Sequence, residues 1–260
     1  MFRLSLVFGL VLFIAPAAAK DLKVLTGAGM SMPVKALALD FQKRTHTNVT
    51  VVGDTAGGVQ KRMEAGEKFD LVIGTQQVLN VLTLEGKVAA AHSDLARMVA
   101  GMGARKGQPK PPIATAAEFK ATMLAARNVS YVDPASGGIT GVFFLSQADR
   151  LGIGDAVRAK AILKPNGQAV AAAVASGDAQ YGVTLISEML PDTRVAVWPL
   201  PAELQMSTIY AAAVATHAEN AMDAGRLLAD LRGEKGRGAA HKAGLMPPDD
   251  RHQGETHGSP

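Results

Sequence analysis

The stretch VLTGAGMSMPVKALALDF, residues 24–41, joins a short apolar strand to a helix through a turn that contains two glycines. Val34, Leu37 and Phe41 recur at helical spacing, so the segment after the turn has one apolar face. Strands and helices alternate in this way along the rest of the chain. The alternation predicts an α/β protein whose sheets are mainly parallel.

Two further glycine turns follow predicted strands, TAGG at 55–58 and DPASGGITG at 133–141. Such turns let backbone N–H groups approach a ligand, and the helix behind each adds free donors and the positive end of its dipole. We therefore expect the three turns to converge on an anion site, although any one of them could be an ordinary capped turn. The expected ligand contacts in these turns are Gly29, Met30, Ser31, Thr55, Ala56, Gly57, Gly58, Ser136, Gly137, Gly138 and Thr140.

Candidate side chains outside the glycine turns are fewer. Asn166 and Gln168 lie in a segment, 165–168, that we interpret as a loop offering neutral ligand contacts, and Thr184 lies in a predicted strand at 181–186. The weak candidates for an acid or base are Glu188, Lys61, Arg62 and Tyr131. Each also has a structural interpretation, such as a solvated helix face or a helix N-terminal charge.

The composition excludes several classes of protein. Lys and Arg number 27 and Asp and Glu 23, a net +4 without a basic cluster, which argues against nucleic-acid binding. The chain has no cysteine, so disulfides, thiolate metal sites and a cysteine nucleophile are excluded. Its six histidines show no metal-ligand spacing. We expect neither a metal nor a cofactor.

The N-terminus has the order of a secretory signal peptide. Arg3 precedes the apolar run Leu4–Ile14, and a small-residue pattern ends at Ala19. The alternative, a membrane anchor, needs about 20 apolar residues, more than this run supplies. We predict cleavage of residues 1–19 before Lys20, export to the periplasm and no membrane span in the mature chain.

The order of elements predicts two α/β lobes joined by two crossing segments, with a ligand cleft between them. We place the first part of lobe 1 at 20–100, lobe 2 at 101–204, the second part of lobe 1 at 205–246, and a disordered tail at 247–260. We expect a monomer.

Residues 63–73, MEAGEKFDLVI, with YVDP at 131–134 and GLM at 244–246, resemble the periplasmic molybdate-binding proteins. The resemblance covers nearly all of the mature chain and implies the type II periplasmic-binding-protein fold. It also implies capture of a small anion for the membrane permease of an ABC importer. The family holds molybdate with a serine in the first glycine turn, where this chain has Gly29. A second family serine aligns with Ala56, and a late tyrosine aligns near Leu185.

Because those ligand positions differ, we expect a di- or tricarboxylate to bind in preference to molybdate. Exported aconitate isomerases are similar to the same family, and they shift a proton along an allylic tricarboxylate without a cofactor. The resemblance thus leaves two main hypotheses: a carrier of carboxylates or oxyanions, and an isomerase that interconverts cis- and trans-aconitate. A secreted adhesion or signalling module on the same scaffold is a third.

Overall fold

The computed structural model describes residues 21–248. The signal peptide predicted at 1–19 lies outside the described residues, as do residues 249–260 of the predicted tail. No helix in the described part of the chain is both long enough and apolar enough to cross a membrane.

Within residues 21–248, ten strands form two separate five-stranded sheets. The strands are β1 (Asp21–Gly27), β2 (Asn48–Asp54), β3 (Leu71–Thr75), β4 (Ser93–Arg97), β5 (Ala100–Arg105), β6 (Val129–Val132), β7 (Ala161–Lys164), β8 (Tyr181–Leu185), β9 (Val195–Pro199) and β10 (Ile209–Val214). Their order is β2-β1-β3-β10-β4 in the first sheet and β7-β6-β8-β5-β9 in the second. The chain is therefore a two-lobed α/β protein, with one sheet in each lobe.

The same part of the chain contains ten α-helices, which pack around the two sheets. They are α1 (Ser31–Thr45), α2 (Ala56–Glu64), α3 (Gln76–Leu84), α4 (Ala116–Ala125), α5 (Ile139–Arg150), α6 (Gly154–Arg158), α7 (Gly167–Ser176), α8 (Ile186–Met189), α9 (Ala221–Arg232) and α10 (Glu234–Lys242). Short 3-10 turns lie at Ala28–Met30, Pro134–Ser136 and Ala202–Leu204. The segment 165–168, interpreted above as a loop, in fact contains the start of α7 at Gly167.

Alternation of side chains along β1 explains why helices pack on both faces of the first sheet. Leu22 and Val24 belong to a core cluster with Phe41 of α1. Leu25 instead belongs to a cluster with Val59 of α2 and with residues of α3. In the first sheet β1, β2 and β3 lead into helices, and in the second β6, β7 and β8 do so, so each sheet has its ligand-facing turns at one edge.

The prediction of mainly parallel sheets is only half right. In the first sheet β1 pairs in parallel with β2 and β3, whereas β10 runs antiparallel to β3 and β4. In the second, β6 pairs in parallel with β7 and β8, and β5 is antiparallel to β8 and β9. The antiparallel strands β5 and β10 are the ones that enter their sheet directly from the other lobe. The chain crosses at 98–99 and returns over 200–208.

Candidate functional site

A pocket lies between the two lobes, at the turns that follow the strands. Its lining is built almost entirely of glycine, alanine, threonine and aliphatic residues. The lining residues are Gly27, Ala28, Thr55, Ala56, Val59, Ile73, Gly74, Thr75, Val78, Met98, Val132, Gly138, Ile139, Thr140, Gly167, Leu185, Glu188 and Tyr210. None of them is Lys, Arg or His, so within residues 21–248 the lining of this pocket offers a ligand no cationic side chain.

Four helix N-termini meet at the pocket. Ala56 and Thr75 bring the starts of α2 and α3 from the first lobe. Ile139 and Gly167 bring the starts of α5 and α7 from the second. Each helix start presents backbone N–H groups without an intrahelical partner and the positive end of the helix dipole. These helix starts therefore contribute positive potential to the pocket from the backbone.

Threonine and asparagine side chains cap three of these four helix starts, those of α2, α3 and α7. Thr55 Oγ1 accepts a hydrogen bond from Gly58 N at 3.0 Å, and Thr75 Oγ1 accepts one from Val78 N at 3.3 Å. Asn166 Oδ1 caps α7 by accepting from Ala169 N at 2.9 Å. Each cap uses one N–H of its helix, and in α2 a second one, Gly57 N, donates to Gly137 O. The remaining N–H groups of the first turns can serve a ligand.

The two lobes touch through a pair of glycines, which we call the glycine contact. Gly57 N donates to Gly137 O at 3.1 Å, and Thr55 Oγ1 donates to Ser136 O at 3.3 Å. A Cβ added to Gly57 would lie 2.8 Å from Gly137 Cα, so no larger residue fits between these backbones. Gly137 also has a φ of 77°, which favours glycine.

With the glycine contact made, little free space remains in this pocket. The cavity volume is only about 30 Å³, enough for one or two water molecules. A larger ligand needs more space than the pocket offers while the lobes are in contact. The geometry is that of a two-lobed binding site with its lobes together.

Glu188 is the one charged residue in the pocket lining, and its side chain is buried. Its Oε2 accepts a hydrogen bond from Thr184 Oγ1 at 2.6 Å, and Thr184 Oγ1 lies 3.3 Å from Thr140 Oγ1. Its carboxyl group lies against Gly167, where an added Cβ would be 2.0 Å from Oε2. Burial raises the pKa of Glu188, while the hydrogen bonds from Thr184 and the Leu185 backbone lower it by less.

Tyr210, on β10, brings a second polar group to the pocket from the first lobe. Burial, together with the nearby charge of Glu188, raises the pKa of its phenol, so the side chain is neutral. Its backbone partner is Gly29, and a Cβ added to Gly29 would lie 2.6 Å from Tyr210 Oη and 2.9 Å from Ser187 Oγ. Gly29 is thus covered by two hydroxyl groups.

The structure brings some of the predicted ligand contacts together. Thr55, Ala56, Gly138 and Thr140 line the pocket, as does the candidate acid or base Glu188. Gly57 and Gly137 form the glycine contact and line the adjoining part of the cleft. Thr184 lies directly behind Glu188.

Other predicted contacts lie outside the pocket lining. Met30 is buried in the core, and the buried Ser31 Oγ faces Gly53. Gly58 lies against the Asp54 carboxylate. Ser136 Oγ donates to Asp133 O at 2.7 Å and so stabilises its own turn. Gln168 is exposed.

Three of the weak acid or base candidates also lie away from the pocket. Lys61 is exposed. Arg62 pairs with Asp54 and Glu67 at 3.1 and 3.0 Å. Tyr131 packs in the core at 5.1 Å from the Phe144 ring, and burial raises the pKa of its phenol.

Sequence reasoning missed Thr75, Gly167 and Tyr210 as pocket residues. Thr75 follows the apolar run of β3, and a Thr three residues before Val78 is a capping pattern that could have been found. Gly167 follows Asn166, another capping residue. Tyr210 lies inside a strand, and no local signal marks it.

No group of three or more His, Asp or Glu residues positioned to hold a metal ion occurs in the stretch 21–248. The chemistry that the described pocket offers is therefore hydrogen bonding from the backbone and from hydroxyl groups, together with one buried carboxyl group.

Comparison with known proteins agrees with this geometry. An aconitate isomerase from Pseudomonas sp is 30% identical over 236 residues, covering 87% of each chain. The periplasmic molybdate-binding protein of Azotobacter vinelandii superposes with a TM-score of 0.73 at 18% identity, over 88% of this chain and 100% of that one. The sulfate-binding protein of Mycobacterium tuberculosis gives a TM-score of 0.68 at 16% identity, over 88% of both.

The family described as "Bacterial extracellular solute-binding protein" matches residues 22–246, nearly the whole described chain. The two lobes, the cleft between them and the match along the sequence lead to one assignment. The chain belongs to the bacterial extracellular solute-binding protein family.

Proposed function

We propose that this protein captures a small anion, a di- or tricarboxylate or an oxyanion, in the cleft between its lobes. The observation that carries the proposal is the meeting of the N-termini of α2, α3, α5 and α7 at one pocket. Helix N-termini bind anions through free N–H groups and the helix dipole, without cationic side chains. The solved molybdate- and sulfate-binding proteins of the same fold support a role of this kind.

Isothermal titration calorimetry with citrate, trans-aconitate, molybdate and sulfate tests this proposal. We expect saturable binding of at least one anion with 1:1 stoichiometry, and tighter binding of the carboxylates than of molybdate. A ligand at 100 times its Kd should also stabilise the protein by about 2.7 kcal/mol in thermal unfolding. Absence of heat and of stabilisation with all four anions would exclude the anion site.

We propose further that the protein acts in the periplasm, after cleavage before Lys20, and delivers its ligand to an ABC importer. Membership of an extracellular solute-binding family supports export. Sequencing the N-terminus of protein isolated from the periplasm tests the cleavage, and an intact Met1 would contradict it. Uptake of the labelled anion by cells with and without this chain tests the transport role.

A second candidate function is isomerisation of aconitate, and the observation that favours it is Glu188. An allylic proton shift needs a group that removes a proton from one carbon and returns it to another. Glu188 lies in the pocket, and its burial raises the pKa of the carboxyl toward the range useful for such a group. The 30% identical Pseudomonas relative is named as an aconitate isomerase.

Incubation with cis- or trans-aconitate in deuterium oxide, followed by proton NMR, separates the two functions. Interconversion of the isomers by the wild type, lost in Glu188→Gln because an amide cannot accept the proton, would support the isomerase. No interconversion at aconitate concentrations that saturate the calorimetric isotherm would leave the protein as a carrier.

A further inference from the structure

The carboxyl group of Glu188 lies in the pocket where the proposed function places an anion. It is the only charged side chain in the lining of the described pocket, and Lys, Arg and His are absent from that lining. No salt bridge to Glu188 occurs among the described residues. An ionised Glu188 would therefore repel the anion without any nearby cation to offset the repulsion.

The carboxyl group of Glu188 lies at a helix start that a bound anion would also approach. Gly167 has no side chain, and the carboxyl group of Glu188 occupies the space that a side chain would fill. Gly167 is also the first residue of α7, whose N-terminus lies at the pocket. In the free protein the carboxylate can lie at this positive helix end. An incoming anion seeks the same positive potential, so two negative charges would compete for one helix start.

The elements packed around Glu188 carry few groups that could titrate in its place. Helix α8 contacts α7, β5, β8, β9 and the turn at Ala28–Met30. The titratable residues on these elements are Arg105 and Tyr181. Arg105 lies near Gly177, at the opposite end of α7, and Tyr181 pairs with Ala104 at the far end of β8. Tyr210, facing from β10, is neutral, and Glu188 is thus the group that can change its charge in the pocket.

We propose that Glu188 binds the anion as a neutral carboxylic acid, donating its proton to a ligand oxygen, so that capture of each anion takes up one proton. This proposal rests on the anion site proposed above. The proton comes from solvent and bonds to the Glu188 carboxylate, and no other bond is made or broken. The hydroxyl of Thr184, 2.6 Å from Oε2, orients the carboxyl group from behind.

A neutral, donating Glu188 also determines which ligands the pocket selects. The ligand must present an acceptor oxygen to the carboxylic acid, which a fully ionised carboxylate or a sulfate does. Above the pKa of Glu188 in the free protein, one proton must be added for each anion bound. The affinity should then fall tenfold for each further pH unit.

The test is calorimetric titration of wild type and Glu188→Gln with trans-aconitate and with sulfate from pH 7 to 9, where both probes are fully ionised. Buffers of different ionisation enthalpy give the number of protons taken up. For the wild type we expect uptake approaching one proton and a tenfold loss of affinity per pH unit. Glu188→Gln, a neutral side chain that keeps a donor, should show no uptake and a flat profile, and should bind at least tenfold more tightly than wild type at pH 9.

Several outcomes would overturn the proposal. A flat profile in the wild type, equal slopes in the two proteins, or loss of all binding in a folded Glu188→Gln would each exclude a neutral, donating Glu188. If the variant does not fold, the proton count on the wild type alone still decides. If neither protein binds any anion at any pH, the anion site itself fails, which is a different result from binding without proton uptake.

Discussion

The two lobes share one sheet plan but bring different chemistry to the cleft. Each sheet has three parallel strands followed by an antiparallel pair. The first lobe contributes the threonine-capped starts of α2 and α3 and the neutral Tyr210. The second contributes the starts of α5 and α7 and, in addition, Glu188 with Thr184 behind it. Both lobes therefore supply positive helix ends, whereas the titratable carboxyl group of the described pocket comes from the second lobe.

The largest effect should come from preventing the lobes from meeting. In Gly57→Ala the added Cβ would lie 2.8 Å from Gly137 Cα, and overpacking of this kind costs about 1–3 kcal/mol. We expect anion affinity to fall by roughly 5- to 150-fold, with a larger radius of gyration of the liganded protein in small-angle scattering.

Gly225→Ala is the matched control for that variant. Gly225 also lies within a helix, but no atom lies within 4 Å of an added Cβ. It should stabilise the fold by up to about 1 kcal/mol and leave the affinity unchanged. Equal affinities of Gly57→Ala and wild type would show that the glycine contact is not part of the bound state. Gly138→Val is a poorer probe, because its Cβ would strike Val132 Cγ1 at 2.2 Å.

The second effect concerns the pH dependence of stability. Burial raises the pKa of Glu188 above its ordinary value of 4.5, so the folded protein holds this proton at pH values where the unfolded chain has lost it. Stability from this group is therefore fully present below pH 4.5 and is lost as the pH rises through the folded pKa. Between pH 4.5 and the pKa of Glu188 in the folded protein, the free energy of unfolding of the wild type should fall relative to that of Glu188→Gln. The fall should be up to about 1.4 kcal/mol per pH unit.

Chemical denaturation of both proteins without ligand, from pH 4 upward to 9, measures that difference. A difference in unfolding free energy that stays constant across the range would mean that Glu188 titrates normally in the folded protein.

A pair of threonine variants compares the lobes directly. Thr184→Val removes the hydroxyl that donates to Glu188 Oε2 at 2.6 Å and should cost about 1–2 kcal/mol of stability. Because that hydrogen bond lowers the pKa of Glu188, its loss should move the fall in anion affinity to higher pH. Thr55→Val removes the cap of α2 at a similar cost of about 1 kcal/mol, but its pH profile should match the wild type. Identical pH profiles for the two variants, measured by calorimetry, would contradict the division between the lobes.

The smallest effects should come from Lys61 and Arg62, two cations that lie away from the pocket. Lys61 is exposed, and Arg62 is held by Asp54 and Glu67. Exposed ion pairs contribute about 0–1 kcal/mol, so Lys61→Ala and Arg62→Gln should change anion affinity by less than roughly threefold. A tenfold loss in either variant would mean that a cation reaches the ligand after all.

Local signals in the sequence were sufficient for the strands that end in glycine turns and for the helices behind them, because apolar runs and caps are short-range patterns. The same signals do not reveal β4 and β5, whose alternation is weak and includes Gly101 and Gly103. The start of α7 was mistaken for a loop because Pro165 and Gly167 dominate the composition there.

The environment of a side chain depends on residues that are distant along the sequence, so local patterns do not predict it. Glu188 is buried only because α7, far away along the chain, brings Gly167 against it. Tyr210 reaches the pocket because β10 returns from the other lobe.

The glycine contact has a consequence for the rate at which ligands exchange. Gly57 and Gly137 approach to the limit that backbone atoms allow, and the cavity behind them holds only about 30 Å³. We expect a bound anion to leave after the glycine contact opens, so a single opening step should limit dissociation for every ligand that lets the two glycines meet. Ligands of different affinity would then share one maximum escape rate. An anion too bulky to let the two glycines meet would leave faster than that limit, and the protein would reject it through its short residence time.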